Sequence, residues 1–171
     1  MNFNTRIDVE VKKLSKDPED EVGIYRKFDG KRSFYAFIRG PDDSPFEHGY
    51  FKLFVHLSPE YPFKPPVVKF MTPVYHPNIS SKTGAICLDI LKDRWTAAMN
   101  LDTCLRSIQS LLTDAVPEDP QDYEVAVVYC NDNEKYLKTA REWTEKYATK
   151  EYISESEKLV GAASLPWKAH W

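Results

Sequence analysis

The sequence lacks long apolar runs and lacks an excess of basic charge. Nowhere do about 18 apolar residues follow one another, as a membrane-spanning helix needs, and residues 1–13 contain no apolar segment typical of a secretion signal. The formal net charge of −3 gives no electrostatic reason to expect a nucleic-acid partner. We therefore expect a protein of the cytoplasm and nucleus that binds neither membranes nor nucleic acid.

Cysteine and metal-ligand patterns are equally sparse. The three cysteines (Cys87, Cys104 and Cys130) form no CxxC pair, and their odd number leaves at least one thiol free in any disulfide scheme. The four histidines show no ligand spacing, so zinc binding is poorly supported. These absences predict a reducing compartment and a protein with neither a bound metal nor a cofactor.

Length and composition favour one domain with a short appendage. A chain of 171 residues, of which 42% are hydrophobic, can bury a core without disulfides. From residue 150 onward the chain turns polar, then becomes rich in small residues, and it ends in Trp167 and Trp171. We interpret residues 1–149 as the domain and 150–171 as an extension that either continues the last helix or forms a flexible tail. Its Leu165-Pro166-Trp167 segment could pack on the domain or on a partner.

The N-terminal half shows one helical pattern followed by strand patterns. Ile7, Val11 and Leu14 recur at helical spacing ahead of an Asp-Pro pair that stops a helix. Residues 18–32 are polar and are expected to be irregular. Three runs then have the composition and alternation of strands: Ser33–Arg39, Tyr50–Leu57 and the short Val67–Phe70. The turn residues from 40 to 45 predict a hairpin between the first two of these runs.

Helical signals return in the C-terminal half. Asn100 can cap a helix whose apolar stripe is Leu101, Leu105, Ile108 and Leu112. Residues 121–130 resemble a short apolar helix, and Asn131 with Glu134 resembles a capping box that opens the next helix. One face of that helix is marked by Tyr136, Ala140, Trp143 and Tyr147. The order of a helix, strands and then helices predicts an α+β fold.

Between these halves, the apolar residues of the 71–99 segment follow neither helical nor strand spacing for any length. Long irregular stretches inside a compact domain are uncommon unless they serve a function. This stretch contains the His76-Pro77-Asn78 triplet and Cys87, and a proline-rich segment precedes it. An arbitrary free cysteine is more often buried packing than chemistry, and we assign Cys104 and Cys130 to packing. The position of Cys87 favours chemistry instead, because a thiolate can hold an acyl group in a reactive bond and pass it on.

Several ordered motifs in the chain resemble the signature of one enzyme family. They are Gly40-Pro41, Tyr61-Pro62-Phe63-Lys64-Pro65-Pro66, Tyr75-His76-Pro77-Asn78-Ile79, Gly84-Ala85-Ile86-Cys87-Leu88-Asp89, Trp95 and Glu118-Asp119-Pro120. Together they resemble the ubiquitin-conjugating enzymes from about residue 4 to residue 148. The resemblance implies a four-stranded antiparallel meander sheet with an N-terminal helix and C-terminal helices. It also implies a monomeric carrier that accepts ubiquitin from the activating enzyme and transfers it to a substrate lysine.

The resemblance assigns catalytic roles to four residues. Cys87 would carry ubiquitin as a thioester. Asn78 would either donate a hydrogen bond to the developing oxyanion or hold the active-site loop, and these two interpretations stay open. Asp89 and Asp119 would flank the thiol and orient or deprotonate the incoming lysine, unless they only cap a helix or a turn.

The same resemblance assigns the remaining site residues to structure and to partner binding. His76 and Pro77 would shape the active-site loop, and a catalytic base role for His76 is the less favoured alternative. Arg6 would contact the activating enzyme. A RING-type or HECT-type ligase would be bound by Pro62, Phe63, Trp95, Ala97 and Ala98.

Some positions depart from the family pattern. Many members have proline where this chain has Ala97, and Ala115-Val116 replaces a common Pro-Asn pair, so ligase choice is open. Only seven residues separate Cys87 from Trp95, so the acidic insertion that some family members carry is absent here. The Cys87-Leu88-Asp89 sequence resembles ubiquitin carriers more than carriers of ubiquitin-like modifiers, so we expect ubiquitin as the cargo. Four alternatives are less favoured: a carrier of a ubiquitin-like modifier, a non-catalytic ubiquitin-binding variant of the fold, a cysteine hydrolase whose His76 and Asn78 would complete a triad, and a purely structural interaction protein, which would leave the 71–99 stretch unexplained.

Overall fold

The computed structural model describes residues 3–14, 21–28 and 32–152. They form an α+β fold, as predicted. The helices and strands are α1 (Phe3–Leu14), β1 (Val22–Phe28), β2 (Ser33–Arg39), β3 (Tyr50–His56), β4 (Val67–Phe70), a single 3₁₀ turn (Asp89–Leu91), α2 (Leu101–Thr113), α3 (Tyr123–Asn131) and α4 (Asn133–Tyr147). Among the described helices, none is long and apolar enough to cross a membrane.

The four strands form an antiparallel meander in the order β1-β2-β3-β4. Side chains alternate between the two faces of a strand, so Phe34, Ala36 and Ile38 of β2 lie on one face with their cross-strand partners Val55, Leu53 and Phe51. This inner face joins the apolar stripe of α2 in the main core. Asn100 caps α2 as predicted, because its side-chain oxygen accepts the Thr103 backbone N–H at 2.9 Å.

Two expectations about secondary structure are wrong. Residues 18–32 are not irregular throughout, because Val22–Phe28 form the edge strand β1. Its apolar alternation covers only Val22 and Ile24, and the register shifts between Ile24 and Arg26, so the sequence pattern of the strand is short. The cap of α4 is Asp132 rather than Asn131, since α3 runs on to Asn131 and the Asp132 carboxylate accepts the Lys135 N–H.

The two predicted ends of the domain are only partly described. Ile7, Val11 and Leu14 of α1 are all buried, as the helical spacing predicts. The Asp-Pro pair at 17–18 lies outside the described residues. At the other end α4 stops at Tyr147, and residues 150–152 form a further helical turn whose Tyr152 N–H bonds the Thr149 hydroxyl. Residues 153–171, including Trp167 and Trp171, lie outside the description.

Candidate active site

The segment that carries Cys87 is held by a few backbone pairings rather than by a regular element. Isolated antiparallel bridges join His76 to Ile79 and Ile79 to Ile86. The Cys87 N–H then donates to the Asn78 carbonyl at 2.8 Å. These bonds fix the thiol beside the His76-Pro77-Asn78 triplet, although the two lie on different parts of the irregular stretch.

His76 is fully buried and both of its ring nitrogens are engaged. Nε2 lies 2.8 Å from the Leu111 carbonyl, which can only accept, so Nε2 carries the proton. Nδ1 therefore accepts the Asn78 backbone N–H at 3.0 Å. Burial lowers the pKa of His76 to about 4, so the ring is neutral at physiological pH. In this geometry His76 ties the triplet to α2 and has no nitrogen available to act as a base.

The Pro77 carbonyl and the Asn78 amide hold the loop that follows α2. Pro77 O accepts the backbone N–H groups of Gln121 and Asp122, each at 2.9 Å. The Asn78 side chain accepts from Val116 N and donates to the carbonyls of Val116 and Asp119 at 2.8 and 2.9 Å. Both of its N–H donors are therefore committed to this loop. Of the two interpretations of Asn78, the geometry favours loop positioning.

We call the hydrogen bonds of the Asn78 side chain to Val116 and Asp119 the Asn78 clamp. This clamp holds the loop so that the Asp119 carboxylate contacts the thiol. Cys87 Sγ lies 3.1 Å from Asp119 Oδ2 and 3.4 Å from Lys92 Nζ. Burial first, and the Asp119 hydrogen bond second, raise the pKa of the Cys87 thiol, while the Lys92 ammonium acts against both. The thiol thus sits between one group that favours the protonated form and one that favours the thiolate.

Lys92 was missed by the sequence analysis. It lies five residues after Cys87, directly beyond the 3₁₀ turn that begins at Asp89, and it folds back toward the sulfur. A basic residue within one turn of a candidate nucleophile is the signal that could have found it.

Cys87 opens into a groove with a volume of about 550 Å³. Asn78, Asp89, Lys92 and Asp119 line the same groove. Asp89 does not contact the sulfur: its Oδ1 accepts the Ile90 N–H at 2.7 Å, and its Oδ2 forms an exposed ion pair with Arg94 at 3.7 Å. The structure thus places Asp119 on the thiol and Asp89 at the side of the groove.

The other two cysteines are in different surroundings. Cys104 is fully buried in α2, and burial raises the pKa of its thiol to about 12. Cys130 is exposed on α3, so its assignment to packing is wrong. Among the described residues, no group of three or more His, Cys, Asp or Glu side chains is arranged to hold a metal ion. The groove around Cys87 is thus the place where a nucleophile, a cation and a carboxylate meet.

Comparisons with known proteins agree with this geometry. Residues 6–144 match the family model described as ubiquitin-conjugating enzyme. This chain belongs to the ubiquitin-conjugating enzyme family. It is 42% identical over 147 residues to Ubiquitin-conjugating enzyme E2 1 of Schizosaccharomyces pombe, which covers 86% of this chain and 68% of the relative.

Two solved structures are also similar. The E2 domain of a Toxoplasma gondii ubiquitin-conjugating enzyme matches with a TM-score of 0.80 at 41% identity, over 85% of this chain and 99% of that one. The crystal structure of a putative ubiquitin conjugating enzyme from Plasmodium yoelii matches with a TM-score of 0.82 at 42% identity, over 87% of this chain and 97% of that one. Membership of the family makes this chain a ubiquitin transferase that works through a thioester and has ubiquitin, an activating enzyme and a ligase as partners.

In the ubiquitin-conjugating fold of this chain, the predicted ligase residues divide into an exposed and a buried set. Phe63 is 69% exposed and Ala98 is exposed beside the half-buried Ala97. Trp95 and Pro62 are buried, and the Trp95 indole N–H donates to the Pro62 carbonyl at 2.7 Å. The buried Trp95 indole therefore joins the loop that contains Pro62 and Phe63 to the loop that contains Trp95, Ala97 and Ala98. Phe63 lies on the surface that these two loops form.

Arg6 connects α1 to one of these loops. Its guanidinium donates to the carbonyls of Ala97 and Met99 at 2.8 and 2.6 Å and to Glu10 at 2.7 Å. The Glu10 carboxylate raises the pKa of Arg6 further above its ordinary value. Most donors of this side chain are thus used within the molecule, so the residue predicted to meet the activating enzyme also positions the predicted ligase loop.

Proposed function

We propose that Cys87 is the residue that carries ubiquitin and that the chain passes it to lysine amines. The observation that carries this proposal is the contact of one sulfur with both Lys92 and Asp119 inside an open groove. Cys104 is buried among apolar side chains, and Cys130 is exposed with neither a cation nor a carboxylate in hydrogen-bond contact among the described residues.

Charging would begin when the Cys87 thiol loses its proton. The thiolate attacks the carbonyl of the ubiquitin thioester on the activating enzyme, and the thiolate of that enzyme leaves. The Lys92 ammonium stabilises the Cys87 thiolate through charge, which offsets part of the burial and of the Asp119 repulsion. Once the thioester has formed, the sulfur is neutral and Asp119 is free of its contact with the thiol proton.

Transfer would then use Asp119 on the incoming lysine. An amine must be neutral to attack, and a carboxylate at the sulfur is within reach of the amine that attacks the adjoining carbonyl. The Asn78 clamp keeps this carboxylate in place by holding the backbone at Val116 and Asp119. Asp89, at the side of the groove, would orient the substrate rather than accept its proton.

The finer partner assignments belong to the same proposal. The exposed Phe63, supported by the buried Trp95, is a suitable aromatic anchor for a RING-type ligase, and a HECT-type ligase would use the same surface. We propose that the conjugating domain spans residues 1–149, acts as a monomer, and works in the cytoplasm and nucleus.

The test is a charging assay with activating enzyme, ATP and ubiquitin, analysed on gels with and without a reducing agent. The expected result is a reducible adduct one ubiquitin heavier that Cys104→Ala retains and Cys87→Ala loses completely. Cys87→Ser should instead form an adduct that resists reduction, because an alkoxide leaves less readily than a thiolate. A reducible adduct on Cys87→Ala would assign the thioester to another cysteine. Charging by a ubiquitin-like modifier in place of ubiquitin would overturn the choice of cargo.

A further inference from the structure

The Glu10 carboxylate of α1 binds two other parts of the chain as well as its neighbour Arg6. Its Oε2 accepts the Tyr61 hydroxyl at 2.7 Å and the Leu101 backbone N–H at 2.9 Å, and its Oε1 accepts the Arg6 Nε–H at 2.7 Å. Tyr61 lies in the proline-rich loop, residues 58–66, and Leu101 is the first residue of α2. One side chain therefore joins segments that lie up to 91 residues apart in the sequence.

The surroundings of Glu10 stabilise these hydrogen bonds. Its side chain is only 12% exposed, so water competes little for the carboxylate oxygens. Burial first, and the hydrogen bond to Glu10 second, raise the pKa of Tyr61, so its hydroxyl stays a donor. The Leu101 N–H lies in the first turn of α2, where backbone donors have no partner inside the helix and negative charge is favoured. Removal of the carboxylate would leave both donors without their partner.

The proline-rich loop is held through Tyr61. This side chain is almost fully buried, and its ring lies 6.0 Å from the Trp95 ring. The next residue, Pro62, accepts the Trp95 indole N–H at 2.7 Å. The exposed Phe63 follows directly, so the position of its ring depends on where Tyr61 is held.

The second loop, residues 95–99, is held through Arg6 and through the start of α2. The two terminal nitrogens of Arg6 donate to the carbonyls of Ala97 and Met99 at 2.8 and 2.6 Å, while Glu10 orients the guanidinium by accepting its Nε–H. Leu101, two residues beyond this loop, donates to the same carboxylate. Glu10 therefore holds the 95–99 loop both at its carbonyls and at its C-terminal end.

We propose that Glu10 is a positioning residue for ligase-dependent transfer, whose carboxylate sets the position of the proline-rich loop relative to the 95–99 loop. Ile7 and Val11 are buried and fix α1 to the core, so the carboxylate has a rigid support. This role rests on the proposed ligase surface, and it gives α1 an effect on ligase use that needs no contact between α1 and the ligase. The groove around Cys87 is lined by neither loop, so the effect falls on ligase binding rather than on the chemical step.

The first measurement follows the solvent exchange of the Trp95 indole N–H in the full chain by nuclear magnetic resonance. We expect Glu10→Ala to speed this exchange by roughly 10-fold, the equivalent of one net hydrogen bond, and to shift the amide signals of Phe63 and Ala98. Glu10→Gln can keep both bonds of Oε2 through its amide oxygen and should retain most of the protection. Val11→Ala, which shortens a buried side chain of α1 and leaves the carboxylate in place, is the matched control and should change neither signal nor exchange.

The second measurement is discharge of the preformed thioester to free lysine, with rising concentrations of a RING domain that stimulates the wild type. We expect Glu10→Ala to raise the concentration for half-maximal stimulation by roughly 10-fold and to change the rate at saturating RING domain little, because a displaced surface weakens binding. Glu10→Gln, and Tyr61→Phe, which removes one of the bonds, should fall between Glu10→Ala and the wild type. Val11→Ala should need the same concentration as the wild type.

Phe63→Ala separates failure of the ligase surface from failure of the role of Glu10. If Phe63→Ala leaves the affinity for the RING domain unchanged, the ligase surface is wrong and the role of Glu10 falls with it. If Phe63→Ala weakens binding and Glu10→Ala does not, the surface stands and the positioning role is overturned. Faster indole exchange in Glu10→Ala with an unchanged RING affinity would likewise reduce the carboxylate to a purely stabilising group.

Discussion

The active-site segment and helix α2 each bury a cysteine, but they hold it in opposite ways. Cys104 lies in helix α2, whose backbone groups hydrogen-bond to one another and whose apolar side chains bury the thiol. Cys87 lies in a segment with little regular structure, which is fixed by the side chain of His76 on the backbone of α2 and by that of Asn78 on the backbone of the loop after α2. The comparison shows that an apolar stripe makes a thiol inert, whereas an irregular segment can bring a cation and a carboxylate to it.

The largest expected effect comes from removing the clamp on the Asp119 loop. Asn78→Ala leaves the Val116 N–H and the carbonyls of Val116 and Asp119 without their partner, and we expect transfer to lysine to slow by roughly 10²-fold, in the range for a misplaced acid–base group. Charging should fall much less. Single-turnover discharge of the thioester to free lysine measures the effect, with Cys104→Ala as the control that leaves both steps unchanged.

The same experiment separates the two interpretations of Asn78. If Asn78 acts only through Asp119, the double variant Asn78→Ala/Asp119→Ala should be no slower than Asp119→Ala alone. Additive losses would instead indicate an oxyanion donor that the loop releases during the reaction.

The next effect concerns stability and the neutral His76. Its pKa of about 4 in the fold lies below the unfolded value of 6.5, so the unfolded chain binds the extra proton as the pH falls. The free energy of unfolding should therefore drop by about 3 kcal/mol between pH 6.5 and pH 4, a window mostly above the titration of the carboxylates.

Denaturant unfolding of the wild type and of His76→Gln across this window measures that dependence. His76→Gln should be less stable than the wild type at pH 7, and its free energy of unfolding should change less between pH 6.5 and pH 4. His56, whose pKa is also lowered by burial, is the control: His56→Gln should keep most of the slope. Equal slopes in the wild type and His76→Gln would contradict the assignment.

The smallest expected effect is a pair of opposite shifts in the pH dependence of charging. Lys92 lowers the pKa of the Cys87 thiol and Asp119 raises it. Lys92→Met should therefore move the charging profile to higher pH, and Asp119→Asn should move it to lower pH. Charging rates at limiting activating enzyme, from pH 6 to pH 9, measure both shifts. Shifts in the same direction would mean that the two groups do not act on the sulfur through charge.

The sequence carried the strong periodic patterns of the fold. The spacing of Ile7, Val11 and Leu14, the stripe of α2 and its Asn100 cap predicted their elements correctly because each pattern is local. β1 was missed because only Val22 and Ile24 show its alternation, and the α4 cap was displaced by one residue because neighbouring Asn131 and Asp132 have similar capping chemistry.

By itself the sequence determined the family, the α+β order of elements and the candidate thiol, since ordered motifs at fixed spacing are readable without coordinates. Only the tertiary structure showed that Lys92 and Asp119 both contact the Cys87 sulfur. It also showed that the Asn78 amide donates its hydrogen bonds to a loop about 40 residues away and that Arg6 donates to the Ala97 carbonyl. The physical reason is that the Asp119, Asn78 and Arg6 contacts join distant parts of the chain, and no local period or propensity encodes a side-chain hydrogen bond across such a separation. Lys92 is only five residues from Cys87, but its contact depends on the path of the backbone through the 3₁₀ turn between them.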